Sequence, residues 1–278
     1  MATIVVVHER SRPSPPECIM TTQPGAKPPS DLDCWIARSF SRLEQLPESE
    51  RPNRRLGHCY FAYNIIGDHK PIHDHRKVRN SLDAVSVRYP LPARSLLPAP
   101  GGTKLPWRDG VRDWHSNSFF WRFNEAGEAF LLEHFREDSG ESDAWGRAME
   151  SETAFDMVAP IRRVGALLLH ARSVSDLLFN GSTNINLVGN YSGLSGRRLD
   201  HYFTKRDKLV PVNQYRATKT SVSLEISVQD RDLEWDIQFP DSVGWFIEGL
   251  YSLFGYDQVP LQLITDEVWP LYNRLMKS

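Results

Sequence analysis

Two stretches of this chain tightly restrict the structures open to it. In Thr183–Tyr191, Ile185, Leu187 and Tyr191 alternate with Asn184, Asn186 and Asn190. In Thr220–Val228, Val222, Leu224, Ile226 and Val228 alternate with Ser221, Ser223, Glu225 and Ser227. A period of two puts the apolar side chains on one face of an extended strand and the polar ones on the other. Parallel strands, buried on both faces, do not carry this pattern, so antiparallel strands with one buried face are expected.

Helical periodicity surrounds these strands. From about Pro160 to Phe179, Ile161, Val164, Leu168, Ala171 and Leu178 mark one buried face. Leu167, Val174 and Leu177 widen it enough that the helix should be covered on two sides. Pro160 suits the first turn, and Asn180-Gly181 offers a left-handed stop. Pro240-Asp241-Ser242 is expected to open a second helix carrying Val243, Phe246, Ile247, Leu250, Leu253 and Phe254, closed by Gly255. Ile264, Val268, Leu271 and Leu275 predict a last helix that Pro270 should kink or shorten. Leu199–Phe203 is a further candidate strand. The fold class is α+β, an antiparallel sheet packed by helices.

Upstream, residues 1–30 read as disordered or linker: prolines are dense and few apolar residues repay ordering. A helix is expected over Leu32–Leu46, ended by Pro47. His58–Ile66 and Ala84–Tyr89 are strand-like, with proline-rich connections after them. Ser118–Phe123 and Glu128–Arg136 flank Asn124-Glu125-Ala126-Gly127 as a hairpin. Residues 137–152 are acidic and contain Gly140 and Gly146, which predicts a solvated linker. The expected organisation is 1–30 linker, 31–136 an N-terminal α+β region, 137–152 acidic linker and 153–278 a C-terminal α+β domain. The part from about residue 115 onward is expected to fold alone.

The bulk properties narrow the function classes. The 278 residues are 40% hydrophobic and 24% charged, enough for a packed core, and the net charge of −2 gives no global attraction to polyanions. Cys18, Cys34 and Cys59 form no CxxC pair, which fits a reducing cytoplasm. No apolar run approaches the ~20 residues of a membrane helix, so no membrane partner is expected.

Several short motifs carry a resemblance. Phe120-Trp121-Arg122 is followed by Arg136-Glu137-Asp138, then by the helix beginning Pro160-Ile161-Arg162-Arg163-Val164, then by Tyr191-Ser192-Gly193-Leu194-Ser195-Gly196-Arg197 and Leu250-Tyr251-Ser252-Leu253-Phe254. In these pieces residues ~115–278 resemble the C-terminal accessory region of bacterial proteins that carry an N-terminal Schlafen/Alba-type DNA-binding domain. That domain has no counterpart in this sequence, so none of its nucleotide- or DNA-related residues carries over. The resemblance implies an accessory module whose partner protein supplies the Schlafen/Alba-type domain.

No complete catalytic motif is present, and no cofactor is expected. His69, His73 and His75, with His58, Asp68 and Asp74 nearby, could ligate a first-row metal and serve a metal-dependent hydrolase. Lys70, Arg76, Lys77 and Arg79 oppose a cation there, and the spacing matches no zinc signature, so the default is a solvated loop without metal. Gly101-Gly102-Thr103-Lys104 lacks the spacing of a phosphate loop and is read as surface. Ser195 does not sit in a GxSxG elbow. His170 is expected as a packed or partly exposed helix residue rather than a general base.

The remaining candidate is a basic segment, 196–219. Seven bases (Arg197, Arg198, Lys205, Arg206, Lys208, Arg216 and Lys219) face Asp200 and Asp207, a local charge of +5. Tyr202 and Tyr215 interleave with them, and such a combination suits phosphate contact with base stacking. The plainer alternative is a soluble excursion between two strands. Three functional readings follow: a non-enzymatic binding or sensing module in a bacterial regulatory or defence context, a nucleic-acid-binding module using 196–219, or a hydrolase around His73 and His75.

Overall fold

The structure is a computed structural model describing residues 3–7, 31–87, 103–140, 151–200, 214–229 and 235–276. It is α+β. Strand β1 (Thr3–Val7) and helix α1 (Asp31–Glu44) precede β2 (His58–His69) and α2 (His75–Val87). Next come β3 (Thr103–Lys104), β4 (Val111–His115), β5 (Phe119–Asn124) and β6 (Glu128–His134). Then follow β7 (Ala154–Asp156), α3 (Val158–Leu178), β8 (Phe179–Ser192), β9 (Arg198–Asp200) and β10 (Ser221–Gln229). Helices α4 (Trp235–Tyr251) and α5 (Leu261–Met276) complete the described chain.

Eight strands form one sheet in the order β1-β10-β8-β2-β6-β5-β4-β3, with every neighbouring pair antiparallel. Strands β7 and β9 pair in parallel as a separate ribbon. One face of the sheet packs the large core with α2, α3, α4 and α5; Phe61, Tyr63, Trp121, Leu131, Leu187 and Ile226 all point into it. On the other face α1 places Leu32, Trp35, Ile36 and Leu43 against Ala62, Phe120, Phe130 and Leu132. The clean alternation of β8 and β10 reflects their position beyond most of this α1 layer, where Asn and Ser side chains keep access to water. Strand β6 is covered on both faces and reads instead as an apolar run.

The expected strands at 183–191 and 220–228, the hairpin, the first helix and the helix from Pro160 all form. Pro270 lies inside α5. Several expectations need correction. Residues 3–7, placed in the linker, form β1 against β10, with Thr3 opposite Ser227; residues 8–30 lie outside the described residues. Ala84–Val87 is the end of α2 rather than a strand, because Val78, Leu82 and Val85 make a helical stripe against the core. Asp74 starts that helix by accepting from the Lys77 N–H at 3.0 Å, a capping bond that makes 73–79 structured.

Gly181 takes the expected left-handed conformation, with φ +64°, but it does not end α3, which stops at Leu178. Phe179 is already extended, and Lys70 caps the helix end: its N–H donates to the Leu178 carbonyl at 2.8 Å and its Nζ to the Asp176 carbonyl at 2.6 Å. Pro240 does not open α4 but sits inside it, five residues past its start. Of the expected linker at 137–152, Glu137 and the Asp138 side chain are buried, and 141–150 lies outside the described residues. Strand β2 runs between β6 and β8, so strands from both sides of that segment belong to one sheet. A chain beginning near residue 115 would lack the strand that joins β6 to β8, which removes the basis for its folding alone.

Candidate functional site

The basic segment divides into three parts. Arg197 is internal. Its guanidinium donates to both carboxylate oxygens of Asp138, at 2.9 and 2.6 Å, and to the carbonyls of Gly193 and Ala154, at 2.6 and 3.0 Å. It lies 5.0 Å from the centre of the Phe135 ring, and the residue is fully buried. Asp138 also accepts the N–H groups of Gly57 and Glu152. Gly57 is glycine for a steric reason, since a Cβ there would fall 2.1 Å from the Phe135 ring and 2.6 Å from Arg197 Nη2. This geometry corrects the expectation that Arg197 contacts nucleic acid: its charge is closed within the fold.

Arg198, Tyr215, Arg216 and Lys219 remain at or near the surface. Leu199 N–H donates to the Tyr215 carbonyl and Ala217 N–H to the Arg197 carbonyl, at 2.8 and 2.9 Å. Arg198 and Arg216 are thereby a non-hydrogen-bonded antiparallel pair, the arrangement that brings side chains closest. Arg198 reaches Asp200 at 3.5 Å, and Arg216 donates to the Gly196 carbonyl at 3.1 Å. Arg216 and Lys219 are exposed, while Tyr215 packs edge-on against Tyr256 at 5.0 Å. Tyr202, Lys205, Arg206 and Lys208 lie outside the described residues, in the segment joining Asp200 to Gln214.

The histidine cluster is dispersed. The His69 ring packs tilted against Phe179 with ring centroids 4.0 Å apart, His73 is exposed, and His75 Nδ1 lies 3.2 Å from Glu125. Among the described residues no group of three or more His, Cys, Asp or Glu side chains gathers in metal-binding geometry.

The strongest electrostatic perturbations lie elsewhere, in the core under α3. His170 is fully buried, with Tyr63 Oη 2.7 Å from Nδ1 and Ser86 Oγ 3.1 Å from Nε2. Burial pushes its pKa down to about 3, so the ring is neutral, and one of its partners must donate while the other accepts. Asp156 is pushed up to about 7, first by burial and then by the charge of Glu137, which itself is raised by burial. Asp156 accepts from the Val158 N–H at the start of α3, at 3.1 Å, and donates its own N–H to Glu137. Arg163 forms a two-pronged pair with Glu133, beside the buried Cys59 thiol, whose pKa is raised by burial and by Glu133.

Sequence reasoning placed His170 as a packed or partly exposed helix residue but did not find the Asp156–Glu137 or Arg163–Glu133 pairs. The signal for His170 was its place inside the run Leu167-Leu168-Leu169-His170-Ala171. No helix among the described residues is long and apolar enough to cross a membrane. Comparison with family models, with curated proteins and with solved structures finds no match to this chain.

Proposed function

We propose that the chain is a non-enzymatic binding module, the accessory unit of a bacterial regulatory or defence protein whose partner carries a Schlafen/Alba-type domain. The observation that supports it is the use made of the reactive side chains. His170 has both ring nitrogens engaged in the core, and Arg197 with Asp138 closes a buried ion pair that ties β9 to the segment after β6. Groups of the kind that do chemistry at an open site serve here to join helix to sheet. The bacterial context and the partner rest on the resemblance of residues ~115–278. Purification of the tagged chain from its native host tests the reading. Stoichiometric recovery of a protein with a Schlafen/Alba-type domain is the expected result, and recovery of the chain alone at physiological salt counts against it.

A second reading, contact with nucleic acid through 196–219, is favoured by the Arg198/Arg216 pair. Like charges directly opposite one another across strands are destabilising, and a bound phosphate between them would offset that cost. Arg198, Arg216 and Lys219 then act with Lys205, Arg206 and Lys208 on the backbone, and Tyr202 and Tyr215 on the bases. Fluorescence anisotropy with short labelled oligonucleotides decides it. Engagement of about three to five phosphates predicts a log–log salt slope of about −2 to −4, flattened by replacing Arg198 and Arg216 with Ala. Absence of binding at about 50 mM salt, where electrostatic attraction is strong, removes this reading.

A further inference from the structure

We propose that Arg38, Arg42 and Arg122 form a binding site for a phosphate-class oxyanion on the α1 side of the sheet, separate from 196–219. Helix α1 presents Arg38 and Arg42 one turn apart, and β5 presents Arg122 beside them. The guanidinium carbons of Arg38 and Arg122 lie 5.7 and 5.0 Å from the centre of the same Trp35 ring. Asp113 answers two of the three charges, with 2.8 Å to Arg42 Nε and 3.3 Å to Arg122 Nε. Arg42 also donates to Gln45 at 3.2 Å, and Arg122 Nη1 to the Arg38 carbonyl at 3.2 Å. The next carboxylate, Glu128, is 3.8 Å from Arg38 and already accepts from Asn124 at 2.6 Å. Three cations thus meet two carboxylates, one of them at long range.

An arginine laid over a tryptophan is an ordinary surface device. What separates this cluster from that case is that three guanidiniums share two carboxylates and pair with them imperfectly. Arg122 Nε and Asp113 Oδ1 face each other at 3.3 Å without a well-aligned hydrogen bond, and the buried Trp35 Nε1 beside them has no hydrogen-bond partner. A buried N–H without a partner, as at Trp35 Nε1, marks a place where an ion or its water belongs. Arg38 supplies the entrance. Its side chain is 59% exposed and its guanidinium, poised over Trp35, makes no hydrogen bond of its own. A planar guanidinium fork matches two oxygens of a phosphate, and a dianion offsets the surplus positive charge. Trp35 itself is buried, so no face of the ring is open to a nucleobase.

The probes are inorganic phosphate, a nucleoside monophosphate and the matching nucleoside, measured by equilibrium dialysis against the full chain at fixed ionic strength. Saturable binding of about one phosphate is expected, with the monophosphate no tighter than phosphate and the nucleoside unbound. Arg38→Gln, which removes no hydrogen bond from the fold, should weaken phosphate about tenfold or more. Arg42→Gln should do the same, whereas Lys77→Gln, an exposed cation on α2, should leave it unchanged. Equal binding by wild type and Arg38→Gln overturns the proposal, as does loss of binding in Lys77→Gln or absence of saturable binding at millimolar phosphate. A monophosphate much tighter than phosphate would overturn the phosphate-only assignment.

Discussion

Arg197 and Arg122 are both held against the same sheet, yet they are treated differently. Every guanidinium nitrogen of Arg197 has a partner, and its carboxylate, Asp138, is itself saturated by backbone N–H groups. Arg122 shares one carboxylate with Arg42, keeps a buried Nε without a hydrogen bond, and has its pKa lowered by burial. A buried charge whose partners are complete is an anchor. A buried charge left with spare donors is suited to something that arrives from outside.

The largest test of this contrast is Arg197→Ala. It leaves Asp138 charged and buried, and should cost about 3–5 kcal/mol in chemical denaturation. Arg38→Gln should stay within about 0.5 kcal/mol. If the two variants are equally stable, the distinction between anchor and open site fails.

Titration sharpens it next. Asp156 has its folded pKa raised to about 7, so its contribution is full below the unfolded value, near 3.9, and is lost as pH rises toward 7. His170, lowered to about 3, acts oppositely, contributing above about 6.5 and losing that contribution as pH falls. Comparing wild type with Asp156→Asn cancels the His170 effect. The advantage of wild type should decline by about 1.4 kcal/mol per pH unit as pH rises from about 4 toward 7. Urea unfolding at several pH values measures it, and a pH-independent difference would show that Asp156 is not held protonated.

A smaller effect is expected from Tyr63→Phe, which strips a partner from His170 Nδ1 in the core and should cost about 1–3 kcal/mol. The smallest is Arg198→Ala. Relief of the cross-strand repulsion with Arg216 should raise stability by about 0.2–1 kcal/mol while weakening any oligonucleotide binding. Loss of stability there would mean that the Asp200 contact outweighs the repulsion.

What could be read from the sequence follows from how local each interaction is. Strands β8 and β10 and the β5–β6 hairpin announce themselves because their periodicity or turn lies within a dozen residues. Helix α2 hides its stripe of Val78, Leu82 and Val85 among charges. The burial of Asp138 depends on an arginine 59 positions away, so an acidic stretch looked solvated. The Arg38/Arg42/Arg122 cluster was invisible for the same reason: Arg122 lies 84 positions from Arg38 in the chain. The basic segment was visible as composition, but composition could not separate the buried Arg197 from the exposed Arg216.

The position of β2 has a consequence for how the chain acquires its shape. Ala62 pairs in register with Phe130 on one side and with Val188 on the other. Loop closure over such distances is entropically slow compared with forming a hairpin. During synthesis from the N-terminus, β2 can zip onto β6 while its second edge stays open until α3 and β8 have emerged. Over that interval an unpaired strand edge is on offer to other chains. The vulnerable period in the life of this protein is therefore set by translation speed between residues 134 and 192, so slowing synthesis there should raise aggregation more than slowing it after β10.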